Sequence, residues 1–113
     1  MIDLLIPSRG RNSRLGEMLK SVESPASNTD NIHAIIYLDD DDYMNYGSLK
    51  ILPRTKVIIG KNDILSKHWN TCFETGTGNI VMHCSDDIIF ESKGWDTTVE
   101  EFFKNDDIAC LYG

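Results

Sequence analysis

Apolar positions along the chain switch repeatedly between two rhythms. Ile2 to Ile6 is a short apolar run closed by Pro7, the signature of a buried strand. Leu15, Met18, Leu19 and Val22 then recur at i, i+3, i+4, i+7, which is helical spacing, with Asn12 or Ser13 placed to cap that helix. After a turn-rich stretch from Ser24 to Asn31, Ile32 to Leu38 reads as a second strand that ends abruptly at Asp39. A polar loop with a short helix over Tyr46 to Leu52 leads to Pro53, and Thr55 to Ile59 makes a third strand. Leu65, Trp69, Cys72 and Phe73 form a second helical stripe, with Asp63 as its candidate cap and Gly76 and Gly78 as its stop. Asn79 to Cys84 predicts a fourth strand, Trp95, Val99, Phe102 and Phe103 a third helix, and Ile108 to Tyr112 a fifth strand.

Strands alternating with helices predict an α/β fold with a mostly parallel sheet and flanking helices. Near-continuous apolar strands agree, because parallel sheets are covered on both faces. No repeat, low-complexity tract or linker divides the sequence, so residues 1–113 read as one domain. The last predicted strand has nothing after it to cover it. An exposed apolar edge invites association, so the chain is expected either to self-associate through that C-terminal edge or to be part of a longer enzyme.

Composition narrows the function. The chain has 113 residues, 18 acidic against 11 basic, for a formal net charge of −7. Acidic excess argues against sequence-independent nucleic-acid binding, which needs Lys and Arg to neutralise phosphates. A hydrophobic fraction of 41% with 26% charged residues is that of a soluble globule. No apolar run approaches the ~20 residues of a membrane span, and the N-terminus lacks the basic and apolar regions of a secretory signal. The three cysteines, Cys72, Cys84 and Cys110, form no C-x-x-C, so a reducing cytoplasm is the expected compartment.

In open parallel sheets, ligands bind at the carboxyl ends of the strands. Those ends here are Pro7-Ser8-Arg9-Gly10-Arg11, Asp39-Asp40-Asp41-Asp42, Gly60-Lys61-Asn62-Asp63 and Ser85-Asp86-Asp87. Cations and small donors thus meet carboxylates on one edge. An acidic pair suits a hard divalent cation that also holds a diphosphate, and an Arg leading into a helix suits phosphate. Each feature also has a plainer reading: the acidic runs as solvated turns, Arg9 and Arg11 as surface charges, Trp69 and Trp95 as core. His33, His68 and His83 share no metal-ligand spacing, and His83 reads as a packed strand residue. Cys84 has no His nearby in sequence to activate it and reads as a small buried residue. Neither a P-loop nor a G-x-G-x-x-G follows the first strand, and the acidic residue that a receiver or D-x-D phosphatase needs there is missing.

Taken in order, these segments resemble the nucleotide-sugar-binding half of a GT-A glycosyltransferase of the family-two-like kind, with its Rossmann-like sheet. Ile6-Pro7-Ser8-Arg9-Gly10-Arg11 is similar to a strand followed by P-T-Y-N-R. Tyr37-Leu38-Asp39-Asp40 resembles a strand ending V-D-D. Asn62, Asn70 and Gly78 follow the order of the third motif, and His83-Cys84-Ser85-Asp86-Asp87 lines up with L-D-x-D-D. Gly94-Trp95-Asp96 resembles the helix opening seen after that motif in phage and bacterial members. Cys84 departs from the family by standing where an Asp is usual.

The resemblance implies a nucleotide-sugar donor, with a UDP-sugar expected, held by Pro7, Ser8, Arg9, Arg11, Asp39, Asp40, Asn62, Asn70 and Asp86. Asp39 would accept from the base, Pro7 and Ser8 would wall its pocket, and Arg11 would lie near base or phosphates. Asp86 and Asp87 would contact the ribose and hold Mn²⁺ or Mg²⁺. The acceptor-binding half, which carries the catalytic base in that family, has no counterpart in these residues. Two other functions stay open: a nucleotidyltransferase, and a non-catalytic remnant or interaction module.

Overall fold

The computed structural model describes residues 1–47, 49 and 51–105. Its elements run β1 (Ile2–Ser8), α1 (Asn12–Glu23), a 3-10 turn (Thr29–Asn31), β2 (Ile32–Asp39), a second 3-10 turn (Tyr43–Asn45), β3 (Thr55–Gly60), α2 (Leu65–Thr75), β4 (Ile80–His83) and α3 (Trp95–Phe103). Four strands form one sheet in the order β3-β2-β1-β4. Every pairing is parallel, with Ile2 opposite both Ile32 and Ile80, and Ala34 opposite Thr55. The fold is α/β with flanking helices, as the alternating pattern predicts.

Burial on both faces explains why the strands read as continuous apolar runs. Ile2, Leu4 and Ile6 of β1 and Ala34, Ile36 and Leu38 of β2 point to one face, where they meet Leu15, Met18, Leu19 and Val22 of α1 and Trp95 of α3. Leu5, Ile35 and Tyr37 point the other way and pack with Cys72 of α2. Leu49 and Leu52, in the β2–β3 connection, join the first cluster. The chain therefore steps from β1 to β3 along one face, then α2 carries it back across the other face to β4. Right-handed crossovers require this change of face when the strand order reverses. The reversal lies between β1 and β4, while the helices that follow these two strands, α1 and α3, pack on the same face.

Several element ends differ from the sequence-based expectation. The N-cap of α1 is Arg11, not Asn12 or Ser13, and no side chain caps it. Gly10 at φ 64° starts the helix earlier, and the Asn12 amide is drawn away to the Asn45 carbonyl at 2.8 Å. Asp63 stands one residue ahead of the α2 cap, Ile64, whose N–H donates to the Asp63 carboxylate at 2.7 Å. The described residues of the expected helix over Tyr46–Leu52 are not helical; an earlier turn stands at Tyr43–Asn45, where Asp42 accepts from the Asn45 side chain at 3.0 Å. Trp95 is buried and donates its indole N–H to the Val22 carbonyl at 3.1 Å, whereas Trp69 is half-buried and stacks on an exposed His83. The expected strand Ile108–Tyr112, and the self-association expected from it, fall outside the described residues. Among the described residues no helix is long and apolar enough to cross a membrane.

Asp96 ties α3 to the turn before β2. Its carboxylate is almost fully buried and accepts from the backbone N–H groups of Ser27 and Asn28 at 2.8 and 3.0 Å. Burial pushes its pKa up, but the backbone N–H donors outweigh that and hold it below the usual range. Replacing Asp96 by Ala leaves both N–H groups without this acceptor. The expected loss is about 1–3 kcal/mol of stability, read from the urea midpoint at unchanged slope. A midpoint equal to the parent's would show that the tie is dispensable.

Candidate functional site

The carboxyl ends of β1, β2 and β4 and the start of α2 converge on one edge. β2 delivers Tyr37 and Asp39 to the face covered by α2, because residues two apart on a strand share a side. Asp39 is 1% exposed. Its Oδ2 accepts from Arg9 Nη1 at 2.6 Å, while its Oδ1 is buried and has no hydrogen-bond donor among the described residues. His68 Nε2 stands 3.8 Å from that oxygen, but accepts the Asp63 N–H at 3.1 Å and so offers Asp39 no proton in its neutral form. The His68 ring stacks on Tyr37 with centroids 4.0 Å apart. Tyr37 reaches this position because Gly60 has no Cβ where the phenol oxygen passes, and that hydroxyl donates to the Lys61 carbonyl at 2.8 Å. Burial first, and then Asp39, pushes the Tyr37 pKa up.

A cavity of about 180 Å³ opens over these groups, lined by Pro7, Ser8, Arg9, Asp39, Asn62, Asp63, Leu65 and His68. Five of the residues singled out from the sequence therefore meet here: Pro7, Ser8, Arg9, Asp39 and Asn62. Asp40 is exposed, and its N–H bonds to the Gly60 carbonyl at 2.7 Å, continuing the β2–β3 pairing. Asn70 is exposed on α2 and outside the cavity lining.

The other half of the site lies between β1 and β4. Ser8 Oγ donates to Asp86 Oδ2 at 2.8 Å and is bonded to the Tyr46 hydroxyl at 2.7 Å. Arg11 Nη1 donates to Asp86 Oδ1 at 3.2 Å and to Asp87 Oδ2 at 3.3 Å, and Ser85 Oγ donates to Asp87 Oδ1 at 2.6 Å. Each oxygen of the acidic pair thus has a donor, unlike Asp39. The Ser85 hydroxyl, ahead of the Arg11 charge, holds the Asp87 carboxyl below its usual range. Among the described residues no three His, Cys, Asp or Glu side chains cluster as a ready-made metal cage. Cys84 is buried, and burial pushes its thiol up to about 12, in keeping with a small packed residue.

The four-Asp run divides its labour. Asp41 accepts both Nη groups of Arg9 at 2.6 and 3.1 Å, and Asp42 accepts the Gly10 N–H at 2.7 Å. These carboxylates lock the loop after β1 to the loop after β2. His68, Leu65 and Tyr46 are the site residues that sequence reasoning missed, and Asp63, legible as a strand-end residue and helix cap, joins His68 and Leu65 in the lining. A signal existed for His68: it follows Leu65 by one helical turn, on the start of a helix that must pack over β2.

No family model matches the chain, and no curated protein matches it either.

The loop contacts predict a pH response. Asp41 and Asp42 have lowered pKa values, through the Arg9 side chain and the Gly10 N–H respectively. A lowered carboxyl contributes stability that is present above its ordinary value, about 4, and is lost as pH falls through the lower folded value. The Gly10 amide is therefore expected to keep constant protection from hydrogen exchange between pH 7 and 5, and to lose it below about pH 4. Loss already near pH 6 would mean that these carboxylates do not hold the loop.

Proposed function

We propose that this chain is the donor-binding unit of a glycosyltransferase of the GT-A kind, taking a nucleoside-diphosphate sugar, with a UDP-sugar as the donor. One observation carries the reading: Asp39, which lines a small cavity at the carboxyl edge of a parallel sheet, has a buried carboxylate oxygen, Oδ1, with no donor among the described residues. A buried acceptor without a partner costs free energy, and a ligand N–H relieves it. The imide N–H of a uracil ring supplies such a donor. Pro7, Leu65 and His68 line the cavity beside Asp39 and offer a contact surface for a ring. Arg9 holds Asp39 by its other oxygen and so aims the free one.

On this reading the ribose and diphosphate extend toward Asp86, Asp87 and Arg11. Divalent ions such as Mg²⁺ are commonly held by one or two carboxylates together with substrate phosphates, so the acidic pair fits an ion that arrives with the diphosphate. Asp87, with its side chain 40% exposed, is the carboxylate that would hold Mn²⁺ or Mg²⁺, and Asp86, at 7%, would face the ribose. Such an ion would neutralise charge on the departing diphosphate. Ser8 positions Asp86, and Tyr46 positions Ser8. The buried free thiols Cys72 and Cys84 suit a reducing cytoplasm as the place of action.

Calorimetric titration of UDP, with Mn²⁺ and with EDTA, tests the proposal. Binding is expected in the presence of Mn²⁺; none of any nucleoside diphosphate would sink it. Asp39→Ala is expected to weaken UDP binding by about 1.5–3 kcal/mol, roughly tenfold or more in affinity, with or without metal. Asp87→Ala is expected to remove the metal-dependent part alone, with the fold intact by circular dichroism. If Asp39→Ala harmed only the metal-loaded complex, Asp39 would belong to the metal site instead.

A further inference from the structure

Two arginines two residues apart are held very differently. Arg9 makes three contacts at 2.6, 2.6 and 3.1 Å, to Asp39 and to both oxygens of Asp41. Arg11 reaches Asp86 and Asp87 with one nitrogen only, at 3.2 and 3.3 Å, and its side chain is 51% exposed. Among the described residues its Nη2 and Nε make no hydrogen bond. Long, half-exposed ion pairs of this kind contribute little and exchange readily. Yet this one guanidinium is the only cation paired with the acidic couple among the described residues. Arg11 also sits at the N-cap of α1, a twelve-residue helix with no side-chain cap and no acidic residue in its first turn. The unsatisfied N–H groups there favour an anion next to Arg11.

We infer that Arg11 is the exchangeable counter-ion of the Asp86–Asp87 pair. In the ligand-free protein it bridges both carboxylates and offsets one of their two charges, with Arg14 adding its charge at Asp87 from farther off; when a diphosphate arrives, its planar fork passes to the phosphate oxygens, which match it better. Asp87 Oδ2 is released at that moment and not before. The inference rests on the donor-binding reading and adds to it an order: a divalent cation competes with Arg11 when it comes alone and is admitted when it comes with diphosphate. Linkage makes the effect reciprocal, so each ligand raises the affinity for the other. Arg11 acts here as a positioning residue, through the carboxylates it holds.

The experiment measures Mn²⁺ binding by the paramagnetic resonance signal of the free ion, with and without saturating UDP, using protein-free mixtures of Mn²⁺ and UDP as the baseline. The parent, Arg11→Gln and Arg11→Lys are compared, their folds checked by circular dichroism. UDP is expected to raise the parent's Mn²⁺ affinity at least tenfold. Arg11→Gln is expected to bind Mn²⁺ alone about tenfold more tightly than the parent, to bind UDP in EDTA more weakly, and to lose most of the coupling. Arg11→Lys should restore part of each effect, since the charge returns without the fork. A merely structural role for Arg11 would not strengthen binding of the bare ion. Unchanged Mn²⁺ affinity in Arg11→Gln, or a parent that binds Mn²⁺ equally with and without UDP, overturns the inference and leaves donor binding standing. If UDP binds the parent neither with Mn²⁺ nor in EDTA, the donor-binding reading falls and the inference with it.

Discussion

A basic loop wedged between two acidic loops holds the carboxyl edge of this sheet together. Asp39 and Asp86 are 1% and 5% exposed, and a buried carboxylate is costly unless it is paired and hydrogen-bonded. β1 lies between β2 and β4, so the residues that leave it can reach both neighbours. Arg9 turns toward the loop after β2 and Arg11 toward the loop after β4. Gly10 makes this possible: at φ 64° it reverses the local path, and its N–H is anchored on Asp42. A chain with a net charge of −7 can gather this many carboxylates on one edge only because the cations are delivered between them.

The same placement follows from the apolar core. Continuous burial of β1 on both faces puts it inside the sheet, not at an edge. The handedness of crossovers then puts α1 and α2 on opposite faces. Because α2 must return over β2 and β1 to reach β4, its first turn hangs over the end of β2, and Leu65 and His68 become walls of the cavity above Asp39. The hydrophobic pattern thus sets the position of polar groups that carry no hydrophobic signal of their own.

That dependence explains which features could be read from the chain. Strands and helices were legible because burial imposes periods of two and of about 3.6 residues, and Ile2–Ile6 or Leu15–Val22 show them plainly. The converging strand ends were legible because the carboxyl edge of a parallel sheet is where loops meet. Element ends were not, since they turn on single local bonds: Asn12 to Asn45 at α1, Ile64 to Asp63 at α2. The division of the four-Asp run was also hidden. Only the paths of Arg9 and Gly10, thirty or more residues away, decide that Asp41 and Asp42 are ties while Asp39 keeps a free oxygen. Asn70 could be placed by motif order but not by space, because one step along a helix rotates a side chain by about 100°; it stands on the exposed side of α2 while His68 faces the cavity.

The two halves of the edge differ in what they leave unsatisfied, and this difference has chemical consequences. On the β2 side, Arg9 fixes Asp39 tightly by one oxygen and leaves the other buried without a donor. Such a group is held in place by Arg9: a donor that reaches it gains a hydrogen bond that the ligand-free protein lacks. On the β4 side each oxygen of Asp86 and Asp87 already has one partner, so a newcomer shares or competes for the same carboxylates. Ser8 and Ser85 hold their bonds at 2.8 and 2.6 Å, while Arg11 holds its own at more than 3.1 Å and half in water. Among the described residues the weakest hydrogen-bond partner is also the one that carries charge. Displacing a neutral hydroxyl would leave the charge balance as it was, but moving Arg11 uncovers negative charge at the place where a diphosphate would bring its own. Repulsion between the two then has to be met by a cation. A tightly held half therefore suits recognition of a neutral ring, and a half whose ion pairs are long and half-exposed suits an anionic part of a ligand.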